Sequence, residues 1–333
     1  MPTPQTPIRV AVVGVGHIGT LHAEVYAKLS KLATLTAVCD VDRRRAEALA
    51  GRLGCRAVTD VRDLLGRVDA ASVSVPTSLH HAVGKTLLDA GIHTLIEKPI
   101  AVTLKEADDL LARARKRKLI VQVGHIERFN AAIQAAQEHL THPRFIEVHR
   151  LSPYPVRGTD VSVVLDVMIH DLDLVLSLVK SQPVRIDALG LTVLSKSEDI
   201  ANARLIFPSG CVANLTASRI SDEKVRRLRL FQEDCYLSID YQHQAVELAR
   251  KAGASVERRQ LSVHRRPALD EELRAFLEAV RSNRRPLARP GNQSARRAGV
   301  SAEEAREALR LALNIERAMR SSRRLRSGRR PRR

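Results

Sequence analysis

Short apolar runs alternate with helical stretches through the first third of the chain. "IRVAVV", "TLTAVCD", "CRAVTD", "DAASVSVP", "IHTLIEKP" and "LIVQVG" read as strands. "LHHAVGKTLLDAG", closed by Gly91, reads as a helix. "TLKEADDLLARARKRK" is another, with acids early and bases late, as the helix dipole favours. The run in "DAASVSVP" is almost continuously apolar, which suits a strand covered on both faces. Such alternation predicts a doubly wound parallel sheet with right-handed crossovers and ligands at the strands' carboxyl ends.

The pattern changes in the second half. "RFIEVHRL", "PVRIDALGLTVL", "IANARLIFP", "CVANLTAS" and "VRRLRLFQ" alternate apolar and polar positions, as antiparallel strands with one covered face do. "LDEELRAFLEAVRSN" reads as a helix, as does "VSAEEAREALRLALNIERAMRS", entered through Ser301 with Glu304 at capping-box spacing. The stretch "VSVVLDVMIHDLDLVLSLV" (161–179) is apolar enough for a core yet carries Asp166, His170, Asp171 and Asp173. At about 100° per residue, Asp166, His170 and Asp173 fall at roughly 0°, 40° and −20°, a single narrow face. Asp171 points away from it and is expected to matter least to chemistry.

A chain of 333 residues is too long for one average core. The expected division is a nucleotide-binding domain over 6–124, a second domain over 125–319 and a disordered basic tail over 320–333. No uncharged apolar run approaches a membrane span, and "MPTPQTPIRV" lacks the basic-then-apolar form of a secretory signal. Four scattered cysteines without CxxC spacing read as free thiols of a cytoplasmic protein, with neither disulfide frame nor zinc site. The net charge is +18, of which the last 14 residues contribute eight arginines and no acid. With no Trp and nine Phe plus Tyr there is little material for a base-stacking platform, so a solvated appendage is expected rather than a specific nucleic-acid site.

Candidate chemistry begins where the first strand ends. Gly14-Val-Gly16-His17-Ile18-Gly19 opens the following helix. Its glycines suit a tight turn, close approach of backbone to a pyrophosphate, and close helix–strand packing, with the helix N-terminus facing the phosphates. Asp40, 21 residues beyond Gly19 and at the end of the second strand, suits the ribose hydroxyls and favours NAD over NADP. Arg43, Arg44 and Arg45 beside it weaken that preference, since an arginine there can hold a 2′-phosphate. "VPTSLHH" and "EKP" occupy two further strand ends and are site candidates on placement alone.

The combination of GxGxxG, "VPT" with His80 four residues after its proline, Glu97-Lys98-Pro99 and "DVMIHDLD" resembles the Gfo/Idh/MocA oxidoreductases over about residues 8–319. That resemblance implies a Rossmann domain followed by an α/β domain with a large, open, mainly antiparallel sheet whose far face mediates homo-dimers or homo-tetramers. It implies a cis Lys98–Pro99 bond, with Lys98, Asp166 and His170 as catalytic residues. The dinucleotide set it implies is Gly14, Gly16, His17, Ile18, Gly19, Asp40, Pro76, Thr77, His80, Glu97 and Lys98. "VGHIERFNAAI" and "LSPYPVRGTDVSVVLDVMIHDLDLVLSLV" are similar to the subgroup that oxidises the 3-hydroxyl of UDP-linked N-acetylglucosamine sugars, a step toward the 2,3-diamino sugar of some lipid A molecules. The corresponding uronic acid, a free polyol or monosaccharide, and a non-catalytic nucleotide-binding protein with a polyanion-binding tail are the competing expectations.

Oxidation of a secondary alcohol needs a base for the O–H proton while hydride leaves carbon. An unperturbed histidine side chain has a pKa near neutrality, so His170 suits the base. Lys98 suits the developing negative oxygen or a proton relay. Asp166 is expected to orient the imidazole or bind a sugar hydroxyl, with Asp173 in support. None of this requires a metal, and no HExxH-type ligand spacing is present. A nucleotide-sugar diphosphate calls for cations, and Arg128 and Arg157 are the candidates, with Asn130 and Tyr154 for the sugar or uracil.

Overall fold

The computed structural model describes residues 6–154, 161–283 and 299–326. The chain opens with β1 (Ile8–Val13), α1 (His17–Lys28), β2 (Ala33–Cys39), α2 (Arg43–Leu53), β3 (Arg56–Val58), β4 (Ala70–Val73), α3 (Thr77–Asp89), β5 (His93–Glu97), α4 (Leu104–Arg117) and β6 (Val121–Gly124). It continues through α5 (Ala131–Gln137), β7 (Phe145–Leu151), a π-helical turn (Val164–Met168) and α6 (Ile169–Val179). Then come β8 (Arg185–Leu191), β9 (Ile200–Ile206), β10 (Val212–Ser218), β11 (Val225–Phe231), β12 (Cys235–Asp240), β13 (Ala245–Ala252) and β14 (Ser255–Gln260). Helices α7 (Ala268–Asn283) and α8 (Ala302–Arg326) complete it. Two compact units result: 1–126 with 267–306, and 127–266 with 307–333.

In the first unit, the described strands form a six-stranded parallel sheet in the order β3-β2-β1-β4-β5-β6. The order reverses between β1 and β4, the switch point at which open α/β sheets bind ligands. β4 and β6 are buried along their whole length, as strands covered on both faces must be. Helix α4 is entered by a capping box: Thr103 Oγ1 accepts the Glu106 N–H at 3.2 Å, and the Glu106 carboxylate accepts the Thr103 N–H at 3.1 Å. One boundary differs from expectation. Helix α7 belongs to this unit rather than to a continuous second domain over 125–319. Leu273, Phe276, Leu277 and Val280 recur at i, i+3, i+4 and i+7, and they join Val25 and Tyr26 of α1 and its C-cap Leu29 in one core.

The second unit holds an eight-stranded sheet among the described residues, ordered β14-β13-β12-β11-β7-β10-β9-β8. It is antiparallel except where β10 pairs with β7 in parallel. Alternate positions point inward, for example Ile146, Val148 and Arg150 of β7. Leu172 and Val175 of α6 and Leu311 and Ile315 of α8 join the same core. The sequence pattern did not announce β12, β13 or β14. It also carried β8 too far: Val193 and Leu194 leave the sheet, and their N–H groups, with that of Ser195, are donated to Asp199 Oδ2 at 2.9, 2.7 and 3.0 Å.

The predicted capping box of α8 is present, with Ser301 Oγ accepting the Glu304 N–H at 3.2 Å. The helix runs on to Arg326, so 320–326 is helical rather than disordered tail. Buried Ala308, Leu311, Ala312, Ile315 and Met319 continue one apolar stripe, and Ser322 Oγ donates to the Ala188 carbonyl at 3.1 Å beyond it. Residues 327–333 lie outside the described residues. Among the described residues no helix is long and apolar enough to cross a membrane.

Candidate active site

The glycine loop has the geometry its spacing implies. Gly14 adopts φ +83°, and a Cβ there would stand 2.7 Å from the Ser74 carbonyl oxygen, so both conformation and space demand glycine. A Cβ on Gly19 would lie 1.8 Å from the Gly14 carbonyl oxygen, the closest approach of helix to loop. Gly16 is different: a Cβ there would meet nothing within 4 Å. Gly16 is also the N-cap of α1, which has no side-chain cap and no acid in its first turn. Its first N–H groups and dipole are therefore presented outward beside exposed His17 and half-buried Ile18. Asp40 is buried and ties the loop down, its Oδ2 accepting the Val15 N–H at 2.8 Å and its Oδ1 the Asp42 N–H at 2.9 Å. Arg45 reaches the same Oδ2 at 3.4 Å.

Around Lys98 the structure reassigns two predicted cofactor contacts. His80 is buried, with Nδ1 2.8 Å from the Pro99 carbonyl and Nε2 2.9 Å from the Val75 carbonyl. Both ring nitrogens thus face backbone carbonyls, to one of which the neutral ring donates its single N–H, so His80 sits between the "VPT" and "EKP" turns instead of facing the nicotinamide. Burial pushes its pKa below the usual histidine value, against the two carbonyls. Glu97 turns inward: its Oε1 lies 3.2 Å from His22 Nε2, and ligand-type atoms of His22, Glu97 and Glu272 all lie within 4.8 Å of one another. Burial raises the Glu97 pKa, but His22 and Lys98 outweigh it and hold the carboxyl below its ordinary value. Glu97 is thus an internal anchor for the strand end, not a nucleotide contact. Lys98 is half-buried, and the Lys98–Pro99 bond is cis. Pro76 and Thr77 stand at the start of α3, Pro76 exposed and Thr77 half-buried.

In the second unit the single polar face does not survive intact. Asp166 sits inside the π-helical turn, which carries more residues per turn than an α-helix, so α-helical phase cannot be counted across it to His170. Asp166 and His170 are half-buried, whereas Asp171 and Asp173 are buried at 1% exposure each. Asp173 receives both arms of Arg128, at 2.6 and 2.9 Å. Arg128 is accordingly engaged by α6 and is not set aside for a diphosphate, and Asp173 is a partner of Arg128 rather than a support for His170.

Asp171 is the centre of a buried network. Arg150 donates to both its oxygens at 2.9 and 3.0 Å, and Tyr241 Oη donates to Oδ1 at 2.6 Å. Arg150 also donates to Glu127 at 3.1 Å and lies over the Tyr241 ring at 5.2 Å. Burial works against the Arg150 charge, but Asp171, Tyr241 and Glu127 outweigh it and hold its pKa well above the usual value. Asn130 is likewise structural: its Oδ1 caps α5 through the Ala132 N–H at 3.1 Å, and its Nδ2 donates to the Tyr241 carbonyl at 2.8 Å. Every polar residue of "ERFN" is therefore bound into the unit, which removes Asn130 as a sugar ligand. Tyr154 is 41% exposed and open to a ligand, while Arg157 lies outside the described residues. A surface cavity of about 590 Å³ lined by Leu140, His142, Arg144, Ser177 and Lys180 contains none of the predicted site residues.

Comparison with known proteins agrees with this two-unit plan. The family described as "Oxidoreductase family, NAD-binding Rossmann fold" matches residues 8–125, and "GFO/IDH/MocA C-terminal domain" matches 133–237. UDP-N-acetylglucosamine 3-dehydrogenase of Acidithiobacillus ferrooxidans is 39% identical over 284 residues, 83% of this chain and 90% of the relative. A solved structure of that enzyme superposes with TM-score 0.86 at 36% identity, covering 95% of this chain and 99% of its own. Myo-inositol 2-dehydrogenase of Thermotoga maritima is 27% identical over 64% of this chain and 67% of its own length. The chain belongs to the Gfo/Idh/MocA oxidoreductase family.

As a Gfo/Idh/MocA protein it has an NAD-binding domain, and the loop fits that cofactor on its own geometry. Gly16 leaves room for a pyrophosphate, α1 offers uncapped N–H groups, and Asp40 stands at the end of β2. What the sequence pattern missed was a set of polar residues within the cores: His22, Glu272, Arg150 and Tyr241. For Arg150 a signal existed. In "FIEVHRL" it occupies the inward position after Ile146 and Val148, and a cation on an apolar face requires a buried acid opposite. His22 and Glu272 carried no comparable signal, because their partners come from three separate segments of chain.

Proposed function

We propose that this chain oxidises the 3-hydroxyl of a UDP-N-acetylglucosamine-type nucleotide sugar to the 3-keto sugar, in the cytoplasm, for cell-envelope sugar biosynthesis of the lipid A kind. The observation that carries this reading is the 39% identity, over 83% of the chain, to an enzyme named for that reaction. Bound NAD supplies the hydride acceptor. His170 takes the hydroxyl proton, and its half-buried position suits a base that must meet both substrate and solvent. Lys98 stabilises the negative charge that develops on the same oxygen. Asp166 orients the imidazole or binds a sugar hydroxyl. Four free cysteines support a reducing compartment.

A homo-dimer or homo-tetramer is part of the same reading. Phe145, Phe231 and Tyr236 stack at 5.6 and 4.7 Å on the sheet face opposite the core, with Phe231 37% exposed. Such an aromatic patch suits a second copy of the sheet, and light scattering on the eluting protein reads the assembly directly.

Initial rates of NADH formation with UDP-N-acetylglucosamine, its uronic acid and myo-inositol test the substrate. The polyol arm is included because an inositol dehydrogenase is also a relative. The highest kcat/KM is expected with UDP-N-acetylglucosamine. Turnover of myo-inositol alone, after any tightly held cofactor has been recycled with an oxo-acid acceptor, overturns the nucleotide-sugar reading.

A further inference from the structure

The two acids beside His170 explain how a helix that begins without a cap holds its orientation. Helix α6 follows the π-helical turn directly, its N-cap is Met168, and no side chain caps it. Buried Ile169 and Leu172 seat its first turn in the core, and Asp171 and Asp173 add bonds from that turn to segments outside the helix. Within α6, at about 100° per residue, they lie about 200° apart. Each is held by an arginine fork from a different segment: Arg150 of β7 on Asp171, Arg128 of the 126–129 turn on Asp173. A fork fixes direction as well as distance, because both arms must meet both oxygens. Two forks on nearly opposite sides leave the helix no rotation about its axis. On the same count His170 stands about 100° from Asp171 and about 60° from Asp173, on the arc between the two held positions.

The forks are themselves braced. Tyr241 Oη donates to Asp171 Oδ1 at 2.6 Å, and Glu127, one residue before Arg128, accepts from Arg150 at 3.1 Å. Asn130 ties the same turn to the Tyr241 carbonyl at 2.8 Å. The two clamps therefore share one frame. We infer that Arg150–Asp171 and Arg128–Asp173 form a double clamp that aims the His170 imidazole. In this inference Arg128, Arg150, Asp171, Asp173 and Tyr241 are positioning residues for the proton-transfer step. It rests on the reading of His170 as the base.

The test uses variants that keep the fold: Arg128→Lys, which retains the charge and loses the fork, and Tyr241→Phe, which removes one hydrogen bond onto Asp171. Each is made alone and in a His170→Ala background, with NADH binding measured by fluorescence as a control on the first unit. Because small misplacement of a reacting group is costly, kcat is expected to fall about tenfold in each single variant with NADH affinity unchanged. In the His170→Ala background the same changes are expected to have no further effect, since they act through a group already absent. Wild-type kcat in both single variants, or equal losses in both backgrounds, overturns the clamp. A fully active His170→Ala enzyme overturns instead the assignment of the base. If no sugar is turned over, the clamp is still read from the NMR resonances of the His170 ring. Arg128→Lys is then expected to move them, and unmoved ring resonances refute the clamp.

Discussion

The glycine loop and the first turns of α6 treat their polar groups in opposite ways. The loop leaves the α1 N-terminus uncapped and keeps open space beside Gly16. Helix α6 closes its acids, holding Asp171 and Asp173 under arginine forks at 1% exposure. Open backbone groups in front of open space make a place for a ligand, because a ligand is then the natural partner for those groups. Buried, fully bonded acids make a rigid wall, because nothing can move without stranding a charge. A dehydrogenase of this family needs both, a receptive cradle and a fixed base.

Substitutions at the two regions should break this contrast if it is wrong. The largest effect is expected from Asp171→Ala, which takes the two-oxygen partner from the buried Arg150 guanidinium and leaves it Glu127 alone, and should cost about 3–5 kcal/mol in urea unfolding. A loss under about 1 kcal/mol would mean that the network contributes no more than an exposed ion pair. Asn130→Ala removes a helix cap and a buried link and should cost about 1–2 kcal/mol, with the KM for sugar unchanged if the residue is structural. In the loop, Gly16→Ala should leave stability within about 0.5 kcal/mol of wild type, because its Cβ meets nothing, while NADH affinity falls at least tenfold. Unchanged affinity would remove the pyrophosphate from that space.

A smaller effect concerns His80. Burial holds its folded-state pKa below the ordinary 6.5, so as pH falls the unfolded chain takes up the proton first. The stability carried by neutral His80 is therefore present above about pH 6.5 and is lost as pH falls through that value toward the folded pKa. The fall in Tm between about pH 7.5 and pH 5.5 should be larger for the wild type than for His80→Gln. Equal falls would mean that the ring does not titrate with folding.

The contrast also explains which parts of the molecule were legible in the sequence. Gly14, Gly16 and Gly19 encode a local backbone shape, so their spacing revealed it, although Gly14 also packs against Ser74 from a distant strand end. The parallel sense of the first sheet was likewise legible, because short strands alternating with helices require crossovers. Side-chain roles in the second unit depend on distant partners. Asp171 was expected to matter least to chemistry because it left the presumed face, yet it meets Arg150 from 21 residues earlier and Tyr241 from 70 residues later. Arg128 and Asn130 had the right chemistry for a nucleotide sugar, but Asp173 and the Tyr241 carbonyl take their donors. The turn containing Asp166 was misjudged because a π-helical turn breaks the periodicity on which the face was counted.

The most direct test of the account follows the hydride itself. UDP-N-acetylglucosamine carrying deuterium at C3 is incubated with the enzyme and NAD, and both products are read by mass spectrometry. The expected products are a 3-keto sugar that has lost the label and a reduced nicotinamide that has gained it. Label retained on the sugar while the nicotinamide is reduced would place the oxidation at another carbon and contradict the assignment.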